Sequence, residues 1–184
     1  MNAYDFDKTI FAGDSTAKFY VYCLVRHPSM LRRLPKLIRE AVTLLKKDKQ
    51  RFKQNMFAFL TDLPDPQAAV NAFWDKHLGG IKPFYLARKR SDDVIISASP
   101  EFLIVPAMER LGVRTVMASP VDIATGLYRG LNCHGEEKVR RLRERLPGAE
   151  IDEFYSDSRS DTPMAKISKR AFLVKGNKIR DWDE

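Results

Sequence analysis

From Asp92 onward the chain alternates between two textures, and that alternation leaves few folds open. Val94-Ile95-Ile96 is a short β-branched run, as expected of a strand buried on both faces of a sheet. A helical stretch follows from about Glu101 to Leu111 and closes at Gly112, and Arg114 to Ser119 reads as the next strand. Asp122 to Tyr128 has the composition of a hairpin turn. Gly135 to Leu146 reads as a strongly charged helix, Ile151 to Tyr155 as a strand and Thr162 to Lys169 as a helix. Ala171 to Val174 is a last strand, turned by Gly176-Asn177. Strands alternating with helices predict a parallel sheet with right-handed crossovers. The fold class is therefore α/β, a Rossmann-like sheet with helices on both faces.

Before Asp92 the texture is different. Ala3 to Asp7 reads as a strand, and helical signals follow it. One helix is expected from about Ser15 to the break at Pro28. Residues 30–62 read as further helix, with Leu31, Leu34, Leu37, Ile38, Ala41, Leu44 and Leu45 at helical spacing and Phe52, Met56, Phe59 and Leu60 continuing it. Asp65-Pro66 opens a helix that turns Val70, Phe73 and Trp74 inward and ends near Gly79-Gly80, and a short helix over Pro83 to Arg90 follows. An all-helical insertion between the first and second strands would sit over the C-terminal edge of the sheet. The expected division is a core of residues 1–13 and 91–184 with a helical cap of 14–90.

That edge is where ligands bind in open α/β sheets. Asp5 and Asp7 stand two apart on the first strand, so alternation starts both on one face, and Thr9 follows them at the strand's end. Their mutual repulsion would be relieved by a divalent cation or a shared proton. The second strand offers Ser97, and the strand ending near Tyr155 offers Asp157 and Asp161. The helix opened by Gly135 offers Lys138. Carboxylates with one lysine and two hydroxyls suit a phosphoryl group held beside Mg²⁺, which takes hard oxygen ligands. Each residue also has a plainer reading: Ser97 or Ser99 as a helix cap, Lys138 as a solvated residue among arginines, Asp161 as an acid favoured by a helix dipole. Cys133 beside His134 is not a nucleophile pair, because adjacent residues of a strand point apart. His27, His77 and His134 read as structural.

Composition excludes more than it selects. Hydrophobic residues make up 44% of 184, an ordinary globular proportion. The formal net charge of +8 favours anionic partners without choosing among them. Cys23 and Cys133 lack metal-ligand spacing and read as free thiols of a reducing compartment. The aspartates near the start argue against a secretory leader, and no apolar run approaches the ~20 residues of a membrane span. A cytoplasmic location is the expectation, with no nucleic-acid partner.

With these residues assembled, the chain resembles the haloacid dehalogenase superfamily. Asp5-Phe6-Asp7-Lys8-Thr9 is similar to its first motif, Val94-Ile95-Ile96-Ser97 to the second, Lys138 in Gly135-Glu136-Glu137-Lys138 to the third, and Tyr155-Ser156-Asp157 with Asp161 to the fourth. A helical insertion after the first motif resembles the phosphoserine-phosphatase-like branch. The resemblance implies an Mg²⁺-dependent phosphomonoesterase. Asp5 would be the nucleophile that forms an aspartyl-phosphate, and Asp7 the general acid and then base. Thr9 and Ser97 would bind the transferring phosphoryl group, and Lys138 would bind it and offset its charge. The metal set implied is Asp5, Asp7 through its backbone carbonyl, Asp157, and Asp161 through water or Lys138.

The implied substrate is a small phosphorylated metabolite or a phospholipid head-group phosphate. Gly135 to Val139 and Tyr155 to Ser158, with Asp161 and Pro163, are also similar to the phosphatidylglycerophosphate phosphatase C family. That family carries an apolar anchor in its cap, whereas Leu31 to Leu45 here is interrupted by charges. Phosphoserine phosphatases usually have a glycine-rich fourth motif, where this chain has Ser156 and Ser158. Between Arg32 and Lys53 cations far outnumber Glu40 and Asp48, which reads either as a solvated face or as peripheral contact with an anionic membrane. The alternative from another class is a non-catalytic anion- or membrane-surface-binding module on the same fold.

Overall fold

The computed structural model describes residues 1–33, 35 and 57–183. The periodicity read between Leu34 and Met56 (Pro35 apart) and the basic run from Lys36 to Lys53 lie outside the described residues. Among the described residues, β1 Asn2–Tyr4, β2 Val94–Pro100, β3 Thr115–Ser119, β4 Ile151–Ser156, β5 Ser168–Lys175 and β6 Lys178–Asp181 form one sheet in the order β3-β2-β1-β4-β5-β6. The first five are parallel and β6 runs antiparallel to β5. The expected parallel sheet thus holds up to its edge. There the tight Gly176-Asn177 turn leaves no length for a crossover, so the chain can only return antiparallel.

The α-helices given bounds among the described residues are α1 Ser15–Arg26, α2 Pro66–His77, α3 Pro83–Arg88, α4 Glu101–Arg110, α5 Glu136–Arg145 and α6 Thr162–Ile167. They cover both faces of the sheet. Ala3, Val94 and Ile96 belong to one core with Val139 and Leu142 of α5 and Met164 of α6. Tyr4 and Ile95, the intervening residues, belong to the other core with Phe19, Phe73, Trp74, Leu103 and Ile104. This is the period-2 alternation of central strands whose two faces are both buried. The helix starts have local causes. Asp14 accepts from Ala17 N at 2.9 Å to begin α1, and Asp65 accepts from Ala68 N at 2.8 Å before Pro66 at the first turn of α2.

Four expected boundaries moved. β1 stops at Tyr4 rather than Asp7, and β2 runs on through Pro100 because β3 keeps pairing with it as far as Ser119. Helix α6 ends at Ile167, since Ser168 pairs with Ile151 and enters β5, so sheet pairing overrides the local helical pattern. The described ends of the 30–62 stretch are 3-10 turns, Pro28–Arg33 and Ala58–Asp62. Arg33 fastens them together, donating to Asp62 Oδ1 at 2.7 Å and Thr61 Oγ1 at 3.1 Å.

Helix α1 and helix α2, which lie between β1 and β2, pack on α4. Trp74 Nε1 donates to Leu103 O at 2.7 Å, and Phe19 approaches Phe102 with ring centroids 6.3 Å apart. A second fastening comes from the Val121–Tyr128 hairpin. Gly126 has φ 73°, and a Cβ there would overlap the Phe57 carbonyl oxygen. Gly126→Ala is therefore expected to destabilise the fold by on the order of 2 kcal/mol, read as a shift in denaturant midpoint.

Candidate active site

The register of the sheet brings three strand ends together. Tyr4 pairs with Ile95 on one side and Tyr155 on the other, and Asp5 N donates to Tyr155 O at 2.8 Å. Beyond Asp5 the chain coils instead of continuing as strand. Phe6 O accepts from both Ile10 N and Phe11 N at 3.0 Å, and the Phe6 and Phe11 rings stack 5.6 Å apart against Trp74. Lys8, with φ 57°, is the non-glycine residue of this turn in the left-handed region. Burial of the two phenylalanines drives the turn. The turn, rather than strand alternation, sets Asp5 and Asp7 on one cavity of about 260 Å³. Asp5, Asp7, Lys8, Ser97, Ser99 and Asp157 supply its main polar lining, with Asp14, Thr16 and Phe57 toward the insertion.

Behind Asp5 lies a buried charge triad. Lys138 is 1% exposed, and its Nζ donates to Asp5 Oδ1 and Asp161 Oδ2, both at 2.7 Å. Asp161 Oδ2 also accepts from Ser156 Oγ at 2.7 Å, whereas among the described residues Asp5 Oδ2 accepts only from Thr9 Oγ1, at 3.4 Å. Two acids and one cation leave a net negative charge in a desolvated space. The less satisfied acid bears the strain. Burial pushes Asp5 up to about 7, against the opposing pull of Lys138 and with further push from Asp161. Burial works to lower Lys138, but its two carboxylate partners hold it above its ordinary value.

Asp7 is gripped on both oxygens. Ser15 N, at the start of α1, donates to Oδ1 at 2.8 Å, and the Ser99 hydroxyl donates to Oδ2. Burial raises its pKa, and the Ser99 and Ser15 hydrogen bonds work against that rise. Ser97 is 1% exposed and its Oγ accepts from Ser99 N at 3.1 Å. Among the described residues its hydroxyl proton has no acceptor, so it can serve the cavity.

Thr9, Lys138 and Asp161 are placed differently from the other expected residues. None of the three lines the cavity, and Lys138, expected to bind the phosphoryl group, reaches it through Asp5. Thr9 is fully buried and its Oγ1 accepts from Asp157 N at 2.8 Å, so it ties the end of β1 to the loop after β4. Asp161 holds Lys138 from the far side. The Asp157 carboxylate lines the cavity, and no hydrogen bond or ion pair reaches it among the described residues. Burial raises its pKa as well. Two desolvated carboxylates with open lone pairs on one cavity, Asp5 and Asp157, fit a hard divalent cation such as Mg²⁺. Among the described residues no three acidic, histidine or cysteine side chains converge on one point. Such a cation would take its remaining oxygens from the main chain, water or substrate.

Sequence reasoning treated Ser99 as a helix cap. Yet α4 has no side-chain cap bond, and the Ser99 hydroxyl goes to Asp7. The signal was present: Ser97 and Ser99 are two apart on one strand, so they share a face. Phe57 and Thr16 carried no comparable signal. Lys82, 6% exposed, was also missed; its Nζ donates to Lys8 O at 2.5 Å and Gly176 O at 2.6 Å, pinning the turn after Asp7 to the end of β5.

The central strand of this α/β sheet thus ends in a carboxylate paired with a buried lysine, at the sheet edge where open α/β folds bind ligands. The model of the haloacid dehalogenase-like hydrolase family matches residues 3–166, and the chain belongs to that family. A probable phosphatase of Mycobacterium tuberculosis is 30% identical over 105 residues, which make up 50% of this chain and 37% of that protein. The chain thus spans little more than a third of that relative's length. A protein of unknown function from Bordetella pertussis Tohama I superposes with a TM-score of 0.71 at 19% identity, covering 93% of this chain and 87% of the other. A probable phosphoserine phosphatase from Vibrio cholerae superposes with a TM-score of 0.69 at 11% identity, covering 92% of this chain and 55% of the other. At those identities the likeness is one of fold. Among the described residues no helix is long and apolar enough to cross a membrane.

Proposed function

We propose that this chain hydrolyses phosphate monoesters through Asp5, with residues 14–90 acting as the cap over its cavity. One observation carries the reading: Asp5 and Asp7 face the same small cavity, one backed by Lys138 and the other gripped on both oxygens. An Asp5 oxygen attacks phosphorus as the ester P–O bond breaks, and the leaving oxygen takes a proton from Asp7. Water then gives its proton to Asp7 and attacks phosphorus, which breaks the Asp5–phosphorus bond and releases phosphate. Ser97 donates to a phosphoryl oxygen, and Lys138 steadies the charge on Asp5. Thr9 acts by holding Asp5 and Asp157 in place. Mg²⁺, held by Asp5, Asp157 and the Asp7 main-chain carbonyl, would supply charge neutralisation at the phosphoryl oxygens.

The cavity's size favours a small phosphorylated metabolite, and the names of the Mycobacterium tuberculosis and Vibrio cholerae proteins support a phosphatase of this kind. The test is phosphate release, with and without Mg²⁺, over phosphoserine, sugar phosphates, nucleotides and micellar phosphatidylglycerophosphate. Mg²⁺-dependent release concentrated on one compound is expected. Liposome binding with no hydrolysis of any compound would replace this reading with the binding-module one.

A further inference from the structure

The grip on Asp7 is asymmetric, and the asymmetry assigns a task to a residue outside the four motifs. Ser15 N is a backbone donor, so it can only donate to Asp7 Oδ1. Ser99 Oγ, on Oδ2, is a hydroxyl that can donate or accept by rotating. Its other partners are arranged around it. Thr16 Oγ1 lies 3.3 Å from Ser99 Oγ and donates to it, and Ser99 N is fixed by Ser97 Oγ at 3.1 Å. Ser99 is 8% exposed, and both it and Thr16 line the cavity.

We propose that Ser99 is the positioning residue of Asp7: with Thr16 behind it, its hydroxyl aims the Asp7 Oδ2 edge at the leaving oxygen. This rests on the phosphomonoesterase reading and goes beyond it by naming what orients the acid. Oδ1 is committed to a fixed N–H, so the exchangeable proton sits on Oδ2. The same hydroxyl donates to Oδ2 when Asp7 is a carboxylate and accepts from it when Asp7 is an acid. In the first half-reaction the proton passes from Oδ2 to the departing oxygen as the P–O bond breaks. In the second, a water proton returns to Oδ2. Without Ser99 the carboxyl keeps its Ser15 contact but can swing about it, and the in-line proton path is lost.

A leaving-group series separates this role from a merely structural one. An acid matters for a poor leaving group and little for a good one, whereas general damage to the site slows every substrate alike. The substrates are 4-nitrophenyl phosphate, phenyl phosphate and glycerol 3-phosphate, in order of increasing need for protonation. In kcat/KM, which reports formation of the aspartyl-phosphate and not its hydrolysis (a step common to all three substrates), Ser99→Ala is expected to cost on the order of 10²-fold on glycerol 3-phosphate, less than about 3-fold on 4-nitrophenyl phosphate, and an intermediate amount on phenyl phosphate. Ser99→Thr, which keeps the hydroxyl, is expected to recover most of the loss. Thr16→Val is expected to show the same ordering at smaller amplitude, and it serves should Ser99→Ala fold poorly. Equal losses on all three substrates, or no loss on the alkyl phosphate, would overturn the assignment while leaving the hydrolase reading intact. Wild-type protein inert toward all three would overturn both.

Discussion

Asp5→Asn is expected to abolish phosphate release, by roughly 10³-fold or more, and to leave the protein at least as stable as wild type. On the proposed mechanism the activity loss follows from removing the attacking oxygen, for which an amide cannot substitute. The stability outcome follows from the buried triad. Asn is nearly isosteric with Asp and can still accept from Lys138 Nζ, but it removes the surplus negative charge beside Asp161. The sign of the pH dependence can be worked out. Burial raises Asp5 from 3.8 to about 7, so the folded state binds its proton more tightly than the unfolded state does. The contribution to stability is fully present below the unfolded value and is lost as pH rises through the folded one. Between those two values the metal-free wild type loses stability through Asp5, and Asp5→Asn removes that share. Asp7 and Asp157, also raised by burial, keep theirs. Thermal melts of metal-free protein should therefore fall less steeply with pH in the variant. Turnover at the wild-type rate, or a steeper fall, would remove Asp5 from the proposed role.

The architecture was legible because the signals behind it are local. β-branched runs, Asp14 and Asp65 as caps, and Gly112 as a helix stop read directly as elements, and their alternation gives the sheet. The misreadings arose where tertiary packing decides. Asp5 and Asp7 do face one cavity, but a turn held by Phe6, Phe11 and Trp74 puts them there, and no pattern within ten residues announces a tryptophan sixty positions away. Ser168 looks helical until Ile151 pairs with it. β6 needed only the Gly176-Asn177 turn to be followed one strand further. At the site, residues carrying charge or a distinctive motif could be nominated. Thr16 and Phe57 could not, because a hydroxyl or a ring becomes functional only through what lies opposite it.

Lys138→Met is expected to be the most damaging single change to the fold at this site. Methionine roughly keeps the length of the side chain and the apolar contact but removes the cation from between Asp5 and Asp161. Removing one partner of a buried ion pair leaves uncompensated charge and costs about 3–5 kcal/mol. Here two carboxylates are left facing each other, with only the Ser156 hydroxyl on one and the long Thr9 contact on the other. Asp5, already raised by burial, would then lose the opposing pull of Lys138 and ionise still less readily in the folded state. By the same linkage, the deficit of the variant is small where both states are protonated and grows as pH rises. Urea midpoints at about pH 5 and about pH 8 should therefore diverge more for Lys138→Met than for wild type. The double variant Lys138→Met/Asp161→Asn separates fold from chemistry. Removing the second carboxylate charge relieves the repulsion, so part of the stability returns, but turnover does not, because Asp5 still lacks the cation that steadies it. If Lys138→Met matched wild type at alkaline pH, the triad would not be holding the strand ends together. If the double variant regained turnover, Lys138 would serve the fold alone.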